Sequence, residues 1–165
     1  PFKEIIGGDW IDYVHDLCAV VYQYRPRSLL ELGCGAFHGM KAVFAYGTLN
    51  HYMGVDRASD LPMLERLRLS FPAISMKYIQ KDVNLLTASD VMGDYDCALI
   101  DAHAGSARQF GIDHQSQGRI VDELGIPLVI ADDCRILAVA AVHLKAWGEP
   151  TGKGKGVTGL WWWER

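Results

Sequence analysis

The sequence has 165 residues, 50% of them apolar and 22% charged, which fits one globular domain with a sizeable core and excludes a disordered chain. Its net charge of −4 with histidines neutral leaves no electrostatic footprint for nucleic acid, so such a partner is not expected. No stretch reaches the ~18 apolar residues that span a bilayer.

No secretory leader is visible, and a chain that starts at Pro1 rather than methionine is expected to be trimmed or excised from something longer. Cys18, Cys34, Cys97 and Cys134 form no CxxC pair. The expectation is a cytoplasmic protein with reduced, buried thiols rather than disulfides or zinc.

In chain order, "WIDYVHDLCAVVYQY" carries Trp10, Val14, Leu17 and Val21 on one helical face, which predicts an N-terminal helix over 9–24. Pro26 ends it. "SLLEL" reads as a buried strand and "GMKAVFAYG" as a helix closed by Gly47. "HYMGVD" (strand), "LPMLERLRLSF" (helix) and "MKYIQKD" (strand) continue the alternation, followed by a short helix near "LLTASDVM". "YDCALID" and "PLVIAD" are apolar strands that end in aspartate, "RILAVAAVHLKAW" is a helix and "VTGLWWWE" a last strand. "FGIDHQSQG", with His114, is a polar stretch that could form part of a lid, and "TGKGKG" reads as a mobile turn. Trp161 and Trp163 share one strand face, with packing against helices preferred over an aromatic substrate wall.

Repeated strand-then-helix units imply an α/β fold: a Rossmann-like three-layer sandwich around a mostly parallel, doubly wound sheet of about seven strands. One domain over 1–165 is expected, with a core over 28–147 and C-terminal strands over 148–165. Ligands of such folds collect beyond the carboxyl ends of the strands. Glu31, Asp56, Asp82, Asp101, Asp132 and Asp133 all fall at that edge.

After the first strand, Gly33, Gly35 and Gly39 form GxGxxxG, with His38 where a dinucleotide fingerprint would need glycine. Glycines allow a tight turn and a close backbone approach by a ligand. Asp56 closes the next strand, placed to accept hydrogen bonds from two ribose hydroxyls.

"LLELGCGAFHG" resembles motif I of the class I S-adenosylmethionine-dependent methyltransferases, (D/E)xGxGxxxG. The likeness extends to Asp56, to the "KD" after the third strand and to Asp101, over roughly residues 10 to 150. It implies S-adenosylmethionine as cofactor, with Glu31 and Gly33 near the methionine moiety. Gly35 and Gly39 would shape the loop, Asp56 would hold the ribose, Asp82 with Val83 would meet the adenine, and Asp101 would border the cofactor.

Asp101, Asp132 and Asp133 sit at adjacent strand ends, and three such acids resist ionisation unless a cation neutralises them. Oxygen-only ligands suit Mg²⁺ or Ca²⁺. The pattern resembles the metal-dependent O-methyltransferases of catechol type, and also those of sugar and antibiotic type, whose "ID..H" and acid-Asp pair fit better. A lysine that the catechol type carries just beyond this aspartate is absent from "AHAGSAR". A bound Mg²⁺ would lower the pKa of a substrate hydroxyl, and His103 is the candidate base beside Asp101. Asp133 as an ordinary helix N-cap is the plainer alternative.

The expected reaction is therefore methylation of a small-molecule hydroxyl, in a chain that could pair as a homodimer. An RNA ribose or cap 2′-O-methyltransferase is the alternative, with Lys3, Asp101, Lys145 and Glu164 as its tetrad. The other alternative is a non-catalytic cofactor-binding module.

Overall fold

A computed structural model of the chain describes residues 11–35, 37, 40, 48–58, 60–102, 106–156 and 159–165. Helix α1 (Ile11–Tyr24) leads into β1 (Ser28–Leu32), followed by β2 (His51–Asp56), α2 (Leu61–Ser70) and β3 (Ser75–Gln80). Two 3-10 turns, Val83–Leu85 and Ala88–Val91, precede β4 (Cys97–Ile100), α3 (Ala107–Leu124), β5 (Leu128–Ala131) and α4 (Leu137–Trp147). A hairpin of β6 (Gly152–Lys153) and β7 (Trp161–Glu164) closes the order. The helix expected over 39–47 lies outside the described residues, as does Trp10.

The seven strands form one sheet in the order β3-β2-β1-β4-β5-β7-β6. β1 to β5 pair in parallel, and β7 runs against both of its neighbours. The chain winds outward from β1 to β3, then returns to β4 on the other side of β1. That reversal makes the β1–β4 gap the switch point where a ligand crevice opens in a doubly wound sheet.

Two cores lie on the two sheet faces. Val14, Leu17 and Val21 of α1 pack with Leu64 and Leu67 of α2 over Leu29, Tyr52 and Ile130. On the other face Ile120 and Val121 of α3 and Val139 of α4 cover Leu30, Leu32, Val55 and Val129. β4 and β5 are buried throughout, which explains their continuous apolar runs. All four cysteines are buried and unbridged, and among the described residues no helix is long and apolar enough to cross a membrane.

Local chemistry sets the ends of the helices. Asp60 caps α2 by accepting the Met63 N–H at 3.0 Å, with Pro62 in the first turn. Ser106 caps α3, and Gly125, at φ 65°, closes it in the left-handed conformation.

Three expectations need correction. The stretch holding His114 is no lid but part of the 18-residue helix α3. Its inward face runs Phe110, Asp113, His114, Gln117, Ile120, Val121 and Leu124, so polar groups interrupt an otherwise helical apolar stripe. His114 is buried, its Nδ1 3.0 Å from Nε2 of His143 on α4. Burial pulls the His143 imidazole down to about 4.

"LLTASDVM" makes two 3-10 turns rather than one helix, because Asp82 caps the first and a Thr87–Asp90 capping box starts the second. In "TGKGKG", Gly152 and Lys153 form a strand against β7, and the Trp162 ring fills the place of a Gly152 side chain. The tryptophans do pack against helices: Trp163 is buried beside Trp147, and its Nε1 donates to the Gly148 carbonyl at 3.1 Å.

Candidate functional site

The turn after β1 is built by close approach. Gly33, at φ 91°, lies so near the chain after β4 that a Cβ would overlap the Ala102 backbone. The N–H groups of Gly33 and Cys34 both reach the Val55 carbonyl, at 2.8 and 3.2 Å. Gly35, at φ 41°, is different: among the described residues a Cβ there would meet no atom within 4 Å. The Gly35 N–H donates to Asp56 Oδ2 at 3.0 Å, while Asp56 Oδ1 accepts the Ala58 N–H at 3.1 Å. Each carboxylate oxygen keeps a lone pair for a further donor. A small open cradle thus lies between a glycine and an acid at the end of β2.

Glu31 sits behind this turn rather than in it. It is buried, and its Oε2 accepts the Tyr52 hydroxyl at 2.6 Å and the Met40 N–H at 3.4 Å. Burial first, then the neighbouring Glu31, pushes the Tyr52 phenol well above its usual range, so Tyr52 remains a donor. Asp82, half-buried, holds the turn after β3 by accepting from Asn84 N–H and Nδ2, at 2.9 and 3.1 Å, and Val83 beside it is buried. Gly39 and His103 lie outside the described residues, as does Lys3.

Asp101 follows β4 directly, its N–H bonded to the Leu32 carbonyl at 2.8 Å. Asp132 follows β5 in the same way, on the Ile100 carbonyl at 3.0 Å. The register Ile100↔Ala131 sets these two acids side by side at the sheet edge. Withdrawal from water, and then the charges of Asp132 and Asp133, push the Asp101 carboxyl well above the usual carboxylate range.

The expected metal cage is not assembled: among the described residues no three His, Cys, Asp or Glu side chains could hold a metal ion. Asp132 and Asp133 both lie beyond the end of β5, and both charges act on Asp101. At Asp133, φ 57°, the chain turns left-handed and its carbonyl accepts the Ile136 N–H at 2.8 Å, ahead of α4. Nor is Asp133 the cap of α4, whose N-cap is Ile136 without a side-chain bond. The tetrad alternative also fails on register: Glu164 pairs with Leu128 at the amino end of β5, across the sheet from Asp101.

Two residues at the site carried no signal in the sequence pattern. Phe37 is buried at φ 60°, edge-on to Tyr52 and Tyr78 at 6.2 and 6.4 Å. A bulky residue in that conformation is strained, and here its ring anchors the glycine turn to the core. Gln117, fully buried on α3, bonds both backbone groups of Ala102.

No protein-family model matches the sequence, and neither does any curated protein. Solved structures do match in fold. The SAH-bound methyltransferase PaMTH1 of Podospora anserina superposes with a TM-score of 0.64 at 12% identity, over 100% of this chain and 82% of that one. An O-methyltransferase family protein from Burkholderia thailandensis gives 0.66 at 11%, over 94% and 56%. The N-terminal domain of EvdMO1, solved with SAH and D-fucose, gives 0.61 at 13%, over 96% and 84%. Together they show the Rossmann-like fold of methyltransferases.

Proposed function

We propose that the chain is an S-adenosylmethionine-dependent methyltransferase acting on a hydroxyl group of a small molecule. The observation that carries this reading is the cradle at the end of β2, where Asp56 accepts the Gly35 N–H beside open space. Its fit to a nucleoside is chemical: a carboxylate with spare lone pairs for two ribose hydroxyls, and a glycine that leaves room for the sugar. The fold neighbours crystallised with SAH lend weight to the same choice.

In this reading Asp56 binds the ribose, while Asp82 and Val83 frame the adenine. Gly33 lets the β1 turn and the β4 loop meet as one wall. Bound S-adenosylmethionine supplies a methyl group already activated on a sulfonium for in-line displacement. The work left to the protein is alignment and removal of the acceptor's proton. Asp101 takes that proton on its carboxylate as the hydroxyl oxygen becomes the nucleophile. Burial and the neighbouring acids raise the proton affinity of Asp101, which strengthens it as a base. Among the described residues no three side chains come together to hold a divalent cation. His103 is a candidate second base, and the acceptor class, with a catechol, phenol or sugar hydroxyl, follows from the O-methyltransferase likeness.

Calorimetry with S-adenosylhomocysteine tests the cofactor assignment: binding at one site per chain is expected, and no binding at high concentration overturns it. Transfer of labelled methyl from S-adenosylmethionine to a panel of phenols, catechols and sugars tests the reaction. Asp101→Asn should abolish transfer while leaving the cofactor bound.

A further inference from the structure

Ala102, at the start of the loop after β4, is held by a side chain of α3. The β4 ladder ends where the Asp101 N–H meets the Leu32 carbonyl. One residue on, the partner is no longer a strand. Oε1 of Gln117 accepts the Ala102 N–H at 3.1 Å, and Nε2 of Gln117 donates to the Ala102 carbonyl at 2.7 Å. The carboxamide of the buried Gln117 thus stands in for a neighbouring strand, bonding both backbone polar groups of one residue. Ala102 also lies against Gly33, too closely for a Cβ on the glycine. Ala102 is therefore pinned between a buried amide of α3 and the glycine turn, and Asp101 is the residue immediately before it.

An apolar side chain would fill the same volume but leave the Ala102 N–H and carbonyl without partners. A glutamine at this point fixes where a backbone segment lies, which hydrophobic packing alone does not do. We propose that Gln117 is a positioning residue: it presses the Ala102 peptide against Gly33 so that Asp101 and the glycine turn form one rigid wall of the cofactor site. The inference rests on the methyltransferase reading above, and acts through Asp101 and Gly33 rather than by contact with substrate.

The test compares wild type with Gln117→Met, which keeps the length of the side chain and removes both bonds. Dissociation constants for S-adenosylhomocysteine are measured by calorimetry on protein shown folded by circular dichroism, with amide exchange at Ala102 followed in parallel. Gln117→Met should weaken binding about tenfold, the scale on which outer partners that orient a ligand-binding group act, and should speed Ala102 exchange.

A lower Tm with unchanged affinity would make Gln117 a core residue only and overturn the inference. Wild type that binds no S-adenosylhomocysteine would remove the cofactor reading, and this inference with it. If Gln117→Met does not fold, Gln117→Glu carries the test, because it keeps the acceptor for the Ala102 N–H. An affinity weaker than that of wild type is then expected, and an unchanged one overturns the proposal.

Discussion

The two walls of the candidate site, the glycine turn after β1 and the buried face of α3, are built on opposite plans. The turn works by leaving side chains out: Gly33 yields its space to Ala102, and Gly35 faces an open cradle. α3 works by putting polar side chains in. Gln117 holds Ala102, while Asp113 accepts from Asn84 Nδ2 and Gln109 Nε2, each at 2.8 Å. Backbone conformation restricts the turn to very few residue types, whereas a buried amide or carboxylate can be replaced by other partnered groups. The first plan writes itself into the sequence and the second does not.

The turn should break first and most completely. Gly33→Val combines an overlap with the Ala102 backbone and a φ of 91° that valine does not tolerate. A stability loss of about 3 kcal/mol or more is expected, read by urea denaturation, with S-adenosylhomocysteine binding lost. A variant as stable as wild type would show that the close approach is dispensable. Asp56→Ala removes the acceptor of the Gly35 and Ala58 N–H groups and the proposed ribose contacts. Two hydrogen bonds to a charged group amount to about 3 kcal/mol, or roughly 100-fold in Kd. An affinity unchanged in calorimetry would move the cofactor away from β2.

Between the two walls lies Asp101, and its titration gives the next prediction. Its folded proton affinity is raised by burial and by Asp132 and Asp133, so the folded state binds the proton more tightly than the unfolded one. The stability this contributes is fully present below the unfolded carboxyl pKa of about 4 and is lost as pH rises through the folded value. Asp101→Asn, which never ionises, should therefore melt above wild type at pH 8, with the gap narrowing toward pH 4. A gap that stays constant across that range would mean that Asp101 is not strained by its charge.

The difference between the walls also explains what was legible in the sequence. Every strand from β1 to β5 and the row of acids at their carboxyl ends were readable, because buried parallel strands are apolar runs and their ends are where polarity resumes. The adjacent acids Asp132 and Asp133 pointed to a metal cage, whereas among the described residues no group of three ligands comes together, and the chain turns left-handed at Asp133. Phe37 was not legible, since nothing in its identity announces a left-handed backbone. α3 was hidden because Asp113, His114 and Gln117 occupy positions where a helix normally shows apolar residues. Their burial depends on partners from β4, α4 and the turn after β3, which no local pattern contains.

The smallest expected effect sits where α3 meets the cofactor side of the site. Asn84 lies one residue beyond Val83, donates to Asp82 and Asp113, and accepts the Ser116 hydroxyl at 2.8 Å. It links the turn after β3 to α3, as Gln117 links the loop after β4. Asn84→Ala leaves Asp113 its bond from Gln109 and leaves Asp82 its bond from the backbone N–H of residue 84, so the loss is partial. About 1 kcal/mol of stability should go, with an affinity change for S-adenosylhomocysteine well below that of Asp56→Ala. The ratio between the two variants is the informative quantity. If Asn84→Ala weakens binding as far as Asp56→Ala does, α3 governs the adenine side as strongly as the glycine turn governs the ribose, and the two walls share the work of binding. If stability falls and affinity holds, α3 acts on the cofactor site through Gln117 rather than through Asn84, and the turn after β3 stands without it.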